Sequence, residues 1–216
     1  MLNLVLIFVA SLLLGMRHAT DPDHIVAVAT IVTRERSVWR ASGIGVLWGL
    51  GHTLTVFLVG GAIILLKLAF TPRLGLSMEF GVALMLIVLG ALNLAGATTS
   101  PGPTSNLRPF LVGIVHGLAG SAAATLLILP LIDDPRWAVL YLVVFGIGTI
   151  VGMVLITVAI AAPSVYAASR LANFRSTIRL ASGAVSVAFG LYLAAKIGFA
   201  DGLFTPHPRW SPLSPS

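Results

Sequence analysis

Long apolar runs separated by short polar connections dominate the pattern of this chain. A helix that crosses a membrane needs about 20 apolar residues, and six segments reach that length. They cover roughly residues 2–33, 41–67, 78–97, 109–131, 137–163 and 178–198. The pattern therefore predicts an all-α polytopic membrane protein with about six transmembrane helices.

The first apolar segment holds a polar cluster near its middle, which begins at Arg17 and ends at His24. Each charged side chain at bilayer depth costs about 2.5–3.5 kcal/mol, so a compensating role is expected. Pro22 cannot continue a helix, because its ring collides with the carbonyl of His18. With Asp21 as N-cap and Pro22 at the first helical position, we expect the first helix to break at Pro22 into two half-helices that meet near mid-membrane.

This break allows the side chains of the cluster to converge. On an unbroken helix His18 and His24 would point about 120° apart, whereas a break at Pro22 lets both imidazoles and the Asp23 carboxylate turn toward one point. The carbonyls freed at the end of the first half-helix also favour a cation. Imidazoles with carboxylates indicate a site for a divalent metal ion.

The charges of the cluster favour a cation as well. One arginine, Arg17, and two aspartates, Asp21 and Asp23, give a net charge of −1 when the histidines are neutral, and a divalent ion turns it to +1. Asp21 is expected either as the N-cap or as the partner of Arg17. The alternative is a polar kink without a metal, in which Arg17 and the aspartates satisfy one another and the histidines bond freed backbone groups.

Two further histidines lie inside apolar segments. His52 is near the centre of the second segment among glycines, where it either donates a hydrogen bond across a helix interface or joins the metal site. His116 lies in the motif that runs from Gly113 to Ser121, which lacks the acids of the first cluster. It is either a ligand or a partner in an interhelical hydrogen bond.

The two halves of the chain resemble each other at an offset of about 97 to 100 residues. The matching positions are Gly15 to His18 with Gly113 to His116, Trp48 to His52 with Phe145 to Thr149, and Gly90 with Gly190. We predict one transmembrane domain over residues 1–200, built from repeats at about 1–99 and 107–200, and a proline-rich tail at 201–216 that lies loosely at the interface. Three helices per repeat give the inverted symmetry of many secondary transporters, which bind their substrate near mid-membrane at the repeat interface.

Composition and charge narrow the class further. The 216 residues are 57% hydrophobic and 9% charged, and the mean hydropathy of +1.02 excludes an ordinary soluble domain. There is no cysteine, so thiolate ligands and disulfides are excluded and nitrogen and oxygen donors remain. The net charge of +6 indicates topology rather than a nucleic-acid partner. Lysine and arginine concentrate in the loops after segments one, three and five, which places both termini outside the cytoplasmic membrane.

The segment from His18 to His24 resembles the His-x4-Asp-His signature of the nickel/cobalt transporter family, including the preceding Arg17. Gly51-His52-Thr53 resembles the second histidine motif of that family. Larger bacterial permeases of the family have eight helices and an acidic motif in a later helix, where this chain has the acid-free segment from His116 to Ser121. The chain is thus similar to the shorter, six-helix, urease-accessory-like branch, and the resemblance implies transport of nickel or cobalt.

We therefore expect a secondary transporter, a permease that takes up Ni²⁺ or Co²⁺ by alternating access. A membrane potential of 100 mV supplies about 4.6 kcal/mol per divalent ion, which is sufficient for uptake. The expected metal-site residues are His18, Asp23, His24, His52 and His116, with Arg17, Asp21, Pro22 and Thr53 in supporting positions.

We expect no catalytic residues and no cofactor, because the metal is the transported substrate. The expected partners are that ion and the lipid bilayer, and a homo-oligomer or a metallocentre-maturation partner stays open. Three alternatives also remain: an intramembrane metal-dependent enzyme, a nickel or cobalt exporter, and an accessory protein that delivers metal.

Overall fold

A computed structural model describes residues 2–33, 35–66, 71–96, 107–118, 132, 134–170 and 174–210. Every regular element in these ranges is helical. The helices are α1 (Leu2–His18), α2 (Pro22–Val32), α3 (Val38–Leu66), α4 (Pro72–Leu94), α5 (Arg108–His116), α6 (Pro135–Arg170) and α7 (Phe174–Ala195), and a π-helical turn follows at Lys196–Ala200.

Four helices of the described chain are long and apolar enough to cross a membrane. They span Val38–Ala62, Pro72–Leu94, Pro135–Arg170 and Phe174–Ala200, whereas α1 and α2 are shorter apolar helices. The prediction of an all-α polytopic membrane protein is confirmed. Residues 119–131, the second half of the fourth predicted segment, lie outside the described residues.

The predicted break of the first helix at Pro22 is confirmed. Asp21 is extended, with φ −61° and ψ 144°, and Pro22 is the first residue of α2. The backbone N–H of Asp21 donates to the carbonyl of His18 at 3.1 Å, which closes the end of α1. Asp21 occupies the N-cap position as predicted, but its side chain makes no capping bond, because its carboxylate contacts Nδ1 of His18 instead.

The helices pack in two groups that α2 connects. α6 lies against α1 and α3, and α3 also lies against α5, while α4 packs along α7. The short helix α2 touches α4, α6 and α7. The break at Pro22 therefore lies where both groups meet.

Close contacts between helices come in pairs whose residues correspond at the offset of about 97 to 100 residues. A Cβ at Gly15 would overlap the backbone carbonyl of Phe145, and a Cβ at Gly113 would overlap that of Trp48. Gly15 corresponds to Gly113 and Trp48 to Phe145 at the offset found in the sequence. The contact of Gly51 with Phe110 corresponds in the same way to the contact of Gly148 with Leu12. The contact of Gly90 with Gly183 corresponds to that of Gly190 with Ala83.

The described part of the tail packs against α4. The indole N–H of Trp210 donates to Oε1 of Glu79 at 2.9 Å, and its ring lies directly over Gly75. Phe204 packs edge-on against Phe80, with ring centroids 5.5 Å apart. The prediction of a loose tail is wrong for residues 201–210, because aromatic side chains anchor them to α4. Residues 211–216 lie outside the described chain.

Candidate metal site

The structure brings the five residues predicted as metal ligands into one buried cluster. The break between α1 and α2 supplies three of them, α3 supplies the fourth and the end of α5 the fifth. They are His18, Asp23, His24, His52 and His116, and all five are buried. Because imidazole and carboxylate groups together suit nickel, cobalt and zinc, this cluster has the donor set of a site for a divalent transition metal.

Three histidines form the first triad of the cluster: His18, His24 and His52. One ligand atom from each lies within 4.8 Å of the others, and the Nε2 atoms of His18 and His52 are 3.0 Å apart. This distance suits a hydrogen bond between one protonated and one unprotonated ring nitrogen. It also suits two ligands of one ion, since nitrogens held about 2.1 Å from a metal at a right angle lie about 3.0 Å apart.

A second triad consists of Asp23, His24 and His116, whose ligand atoms also lie within 4.8 Å of one another. Oδ2 of Asp23 is 2.9 Å from Nε2 of His116, and Oδ1 is 3.2 Å from Nδ1 of His24. The rings of His24 and His116 are close, with centroids 4.1 Å apart. His24 therefore belongs to both triads.

Three ring nitrogens of the cluster are buried without a hydrogen-bond partner among the described residues. They are Nε2 of His24, Nδ1 of His52 and Nδ1 of His116. A buried polar atom without a partner costs about 1–3 kcal/mol. A bound metal ion would satisfy such nitrogens when they carry a lone pair.

The charge distribution differs from the prediction at Arg17. Nδ1 of His18 lies 3.0 Å from the partly exposed carboxylate of Asp21, while Arg17 is exposed and forms no ion pair with Asp21 or Asp23. Of the two roles expected for Asp21, the N-cap position is observed, whereas its carboxylate contacts His18 rather than Arg17. Two carboxylates with neutral histidines carry a charge of −2, which a divalent ion neutralises.

Two aromatic side chains, Trp48 and Phe145, pack against the histidines of the cluster, and the sequence did not predict them as part of the site. The indole of Trp48 stacks on His24, with centroids 5.5 Å apart and planes inclined by 27°, and it meets His116 edge-on at 5.4 Å. Phe145 lies 5.8 Å from His18. The signal for Trp48 was its spacing: it precedes His52 by four residues and so shares a helix face with it.

Thr53, predicted as a supporting residue, lies at the contact between α3 and α6. Its hydroxyl donates to the carbonyl of Gly146 at 3.3 Å, and its methyl group occupies the space where a Cβ at Gly146 would lie. Thr53 therefore supports the position of α3, which carries His52.

Comparison with known proteins identifies the family. The chain is 33% identical to urease accessory protein UreH of Bacillus sp. (strain TB-90), over 94% of this chain and 96% of that protein. The chain belongs to the UreH family. The urease-accessory-like resemblance seen in the sequence is thus confirmed at the level of this family.

UreH is similar to this chain over nearly its whole length, whereas two longer plant relatives match in part. Chloroplast protein FOR GROWTH AND FERTILITY 2 of Arabidopsis thaliana is 27% identical over 86% of this chain and 55% of the plant protein. Chloroplast protein FOR GROWTH AND FERTILITY 1 of the same plant is 25% identical over 89% and 60%. No profile of a protein family matches the chain, and no solved structure matches it.

Proposed function

We propose that this UreH-family protein is a secondary transporter that moves a divalent transition-metal ion, Ni²⁺ or Co²⁺, across the cytoplasmic membrane. The observation that carries the proposal is the buried cluster of four imidazoles and the Asp23 carboxylate within apolar helices. Ionisable groups inside a membrane are expensive, and they mark ion pathways. Here they have the donor set of a transition-metal site.

The paired helix contacts support alternating access as the mechanism. When each residue is replaced by its counterpart in the other half of the chain, the contact of Gly15 with Phe145 becomes the contact of Gly113 with Trp48. Inverted repeats of three helices would produce this reciprocity, with repeat 1 at about 1–99 and repeat 2 at about 107–200. The metal cluster draws His18 and His52 from the first and His116 from the second. Rocking of one repeat against the other would open such a site to each side in turn.

Nickel is the substrate that the family relation favours. The sequence resembles nickel/cobalt transporters at the segment from His18 to His24, and the relative named as a urease accessory protein suits the nickel branch of that group. The membrane potential drives uptake of a divalent cation. An associated role in supplying metal to an enzyme fits the relative's name.

An intramembrane metal-dependent enzyme is the competing class. Such an enzyme needs an open metal position and a separate general base. In the described cluster the Asp23 carboxylate contacts His24 and His116, and that of Asp21 contacts His18. Both acids thus contact histidines of the cluster, and neither stands apart from them as the separate general base that an enzyme needs.

Flux through the purified protein tests the proposal. Proteoliposomes that contain the protein and carry an inside-negative potential should accumulate radioactive nickel above empty liposomes. Unlabelled nickel or cobalt should compete better than zinc or manganese. A protein that retains bound metal and turns over a substrate without any ion flux would be an enzyme. In cells, deletion of an importer predicts nickel resistance, and deletion of an exporter predicts hypersensitivity.

A further inference from the structure

His24 lies between two histidines that occupy corresponding positions in the two halves of the chain. His18 and His116 match in the sequence at an offset of 98 residues. Their ring centroids lie 4.6 Å and 4.1 Å from that of His24. Their aromatic neighbours correspond as well, since Phe145 contacts His18 and Trp48 contacts His116.

The two triads differ in their donors and in their surroundings. The first, with His18 and His52, offers three imidazoles, and the partly exposed Asp21 touches it through His18. The second, with Asp23 and His116, has the buried carboxylate of Asp23 in place of one imidazole. Each triad alone supplies three ligands, a number that holds a divalent metal in many protein sites.

We propose that the triads are two successive binding sites for the transported ion and that His24 stays bound while the ion passes between them. This inference rests on the proposed transport function. If the repeats are inverted, their symmetry exchanges the two sides of the membrane, so His18 and His116 belong to oppositely facing halves. An ion that keeps one ligand throughout moves without returning to water.

Two weak sites also suit transport better than one strong site. Conduction requires binding that is favourable enough for the ion to enter and weak enough, or spread over enough sites, for the ion to leave. All five ligands acting together would bind the ion tightly and slow its release. Division into triads with a common His24 lowers the barrier between entry and exit.

Glutamine variants separate the two sites, because an amide keeps hydrogen-bonding capacity at similar size. His52→Gln removes a ligand of the first triad only, His116→Gln removes one of the second only, and His24→Gln removes one of both. His207→Gln is the control, since His207 is exposed in the tail and outside the cluster. Each purified variant is tested for equilibrium binding of nickel and, in proteoliposomes, for nickel flux.

We expect the His52 and His116 variants each to retain one bound nickel ion and to lose flux, and the His24 variant to lose both. The His207 variant should behave as wild type. Loss of binding in either single-triad variant would indicate one undivided site and overturn the inference, as would wild-type flux in either variant.

X-ray absorption at the nickel edge of the wild-type protein gives a test that needs no variant. An ion held by one triad at a time has two or three imidazole ligands, whereas a single site formed by the whole cluster would show four and contradict the inference. The proposed function fails separately, if wild-type protein binds nickel but carries no flux.

Discussion

The indole of Trp48 stacks on the imidazole of His24, with ring planes inclined by 27°. Trp48 is itself almost fully buried, so it fixes the orientation of the histidine that both triads share. The geometry of the proposed metal site thus depends on a residue that offers no ligand atom.

Replacing Trp48 should therefore weaken metal binding as well as stability. Truncation of a buried tryptophan to alanine costs about 3–5 kcal/mol, and His24 would then be free to turn. We expect Trp48→Ala to lower both the unfolding temperature in detergent and the affinity for nickel, and Trp48→Phe to retain most of both. Trp39→Ala is the control, because Trp39 is 85% exposed. Wild-type nickel affinity in Trp48→Ala would contradict this role.

The glycines at the paired helix contacts should be equally intolerant of side chains in both halves. A Cβ at Gly15 or Gly113 would overlap a backbone carbonyl of the opposing helix, and overpacking costs about 1–3 kcal/mol. We expect Gly15→Ala and Gly113→Ala each to lower the thermal unfolding temperature. Gly81→Ala should raise it slightly or leave it unchanged, since Gly81 faces open space. Similar stability of all three variants would show that these contacts do not hold the helices together.

Pro22 should matter for metal binding more than for folding. Pro22→Ala restores an N–H that can donate to the carbonyl of His18, which favours a continuous helix and directs His18 away from His24. We expect weaker nickel binding with a normal amount of protein in the membrane. Pro72→Ala is the matched control, because Pro72 also begins a helix, α4, but lies outside the site. Equal nickel affinity in both variants would mean that the break persists without proline.

The predicted orientation can be tested directly, because the chain contains no cysteine. The variant Ser37→Cys places a thiol between α2 and α3, in a connection predicted to be cytoplasmic. The variant Pro206→Cys places a thiol in the tail, which is predicted to be outside. A membrane-impermeant thiol reagent added to intact cells should label the second variant and not the first. Labelling of the first variant and not of the second would show that the predicted orientation is reversed. The parent chain, which has no cysteine, is the unlabelled control.

The sequence predicted the central feature of the fold because its cause is local. The ring of Pro22 excludes a continuous helix whatever surrounds it, so the break and the convergence of His18 with His24 follow from neighbouring residues. The reciprocal glycines were also visible, since close helix crossings require small residues at fixed positions.

Features that depend on tertiary contact were not predictable. The fifth segment was expected to end at residue 163, but α6 continues past Pro163 to Arg170. The anchoring of Trp210 on Glu79 joins positions far apart in the chain, and no periodic pattern signals it. Charge alone allows Asp21 to pair with Arg17 or to cap α2, whereas its contact with His18 depends on the geometry at the end of α1.

Nickel uptake by a double variant tests the central claim most directly. Proteoliposomes with the wild-type protein and with His18→Ala/His24→Ala are compared for accumulation of radioactive nickel under the same inside-negative potential. We expect accumulation with the wild-type protein and none above empty liposomes with the double variant, because the variant removes two ligands of the first triad and one of the second. Wild-type nickel transport by the double variant would contradict the account.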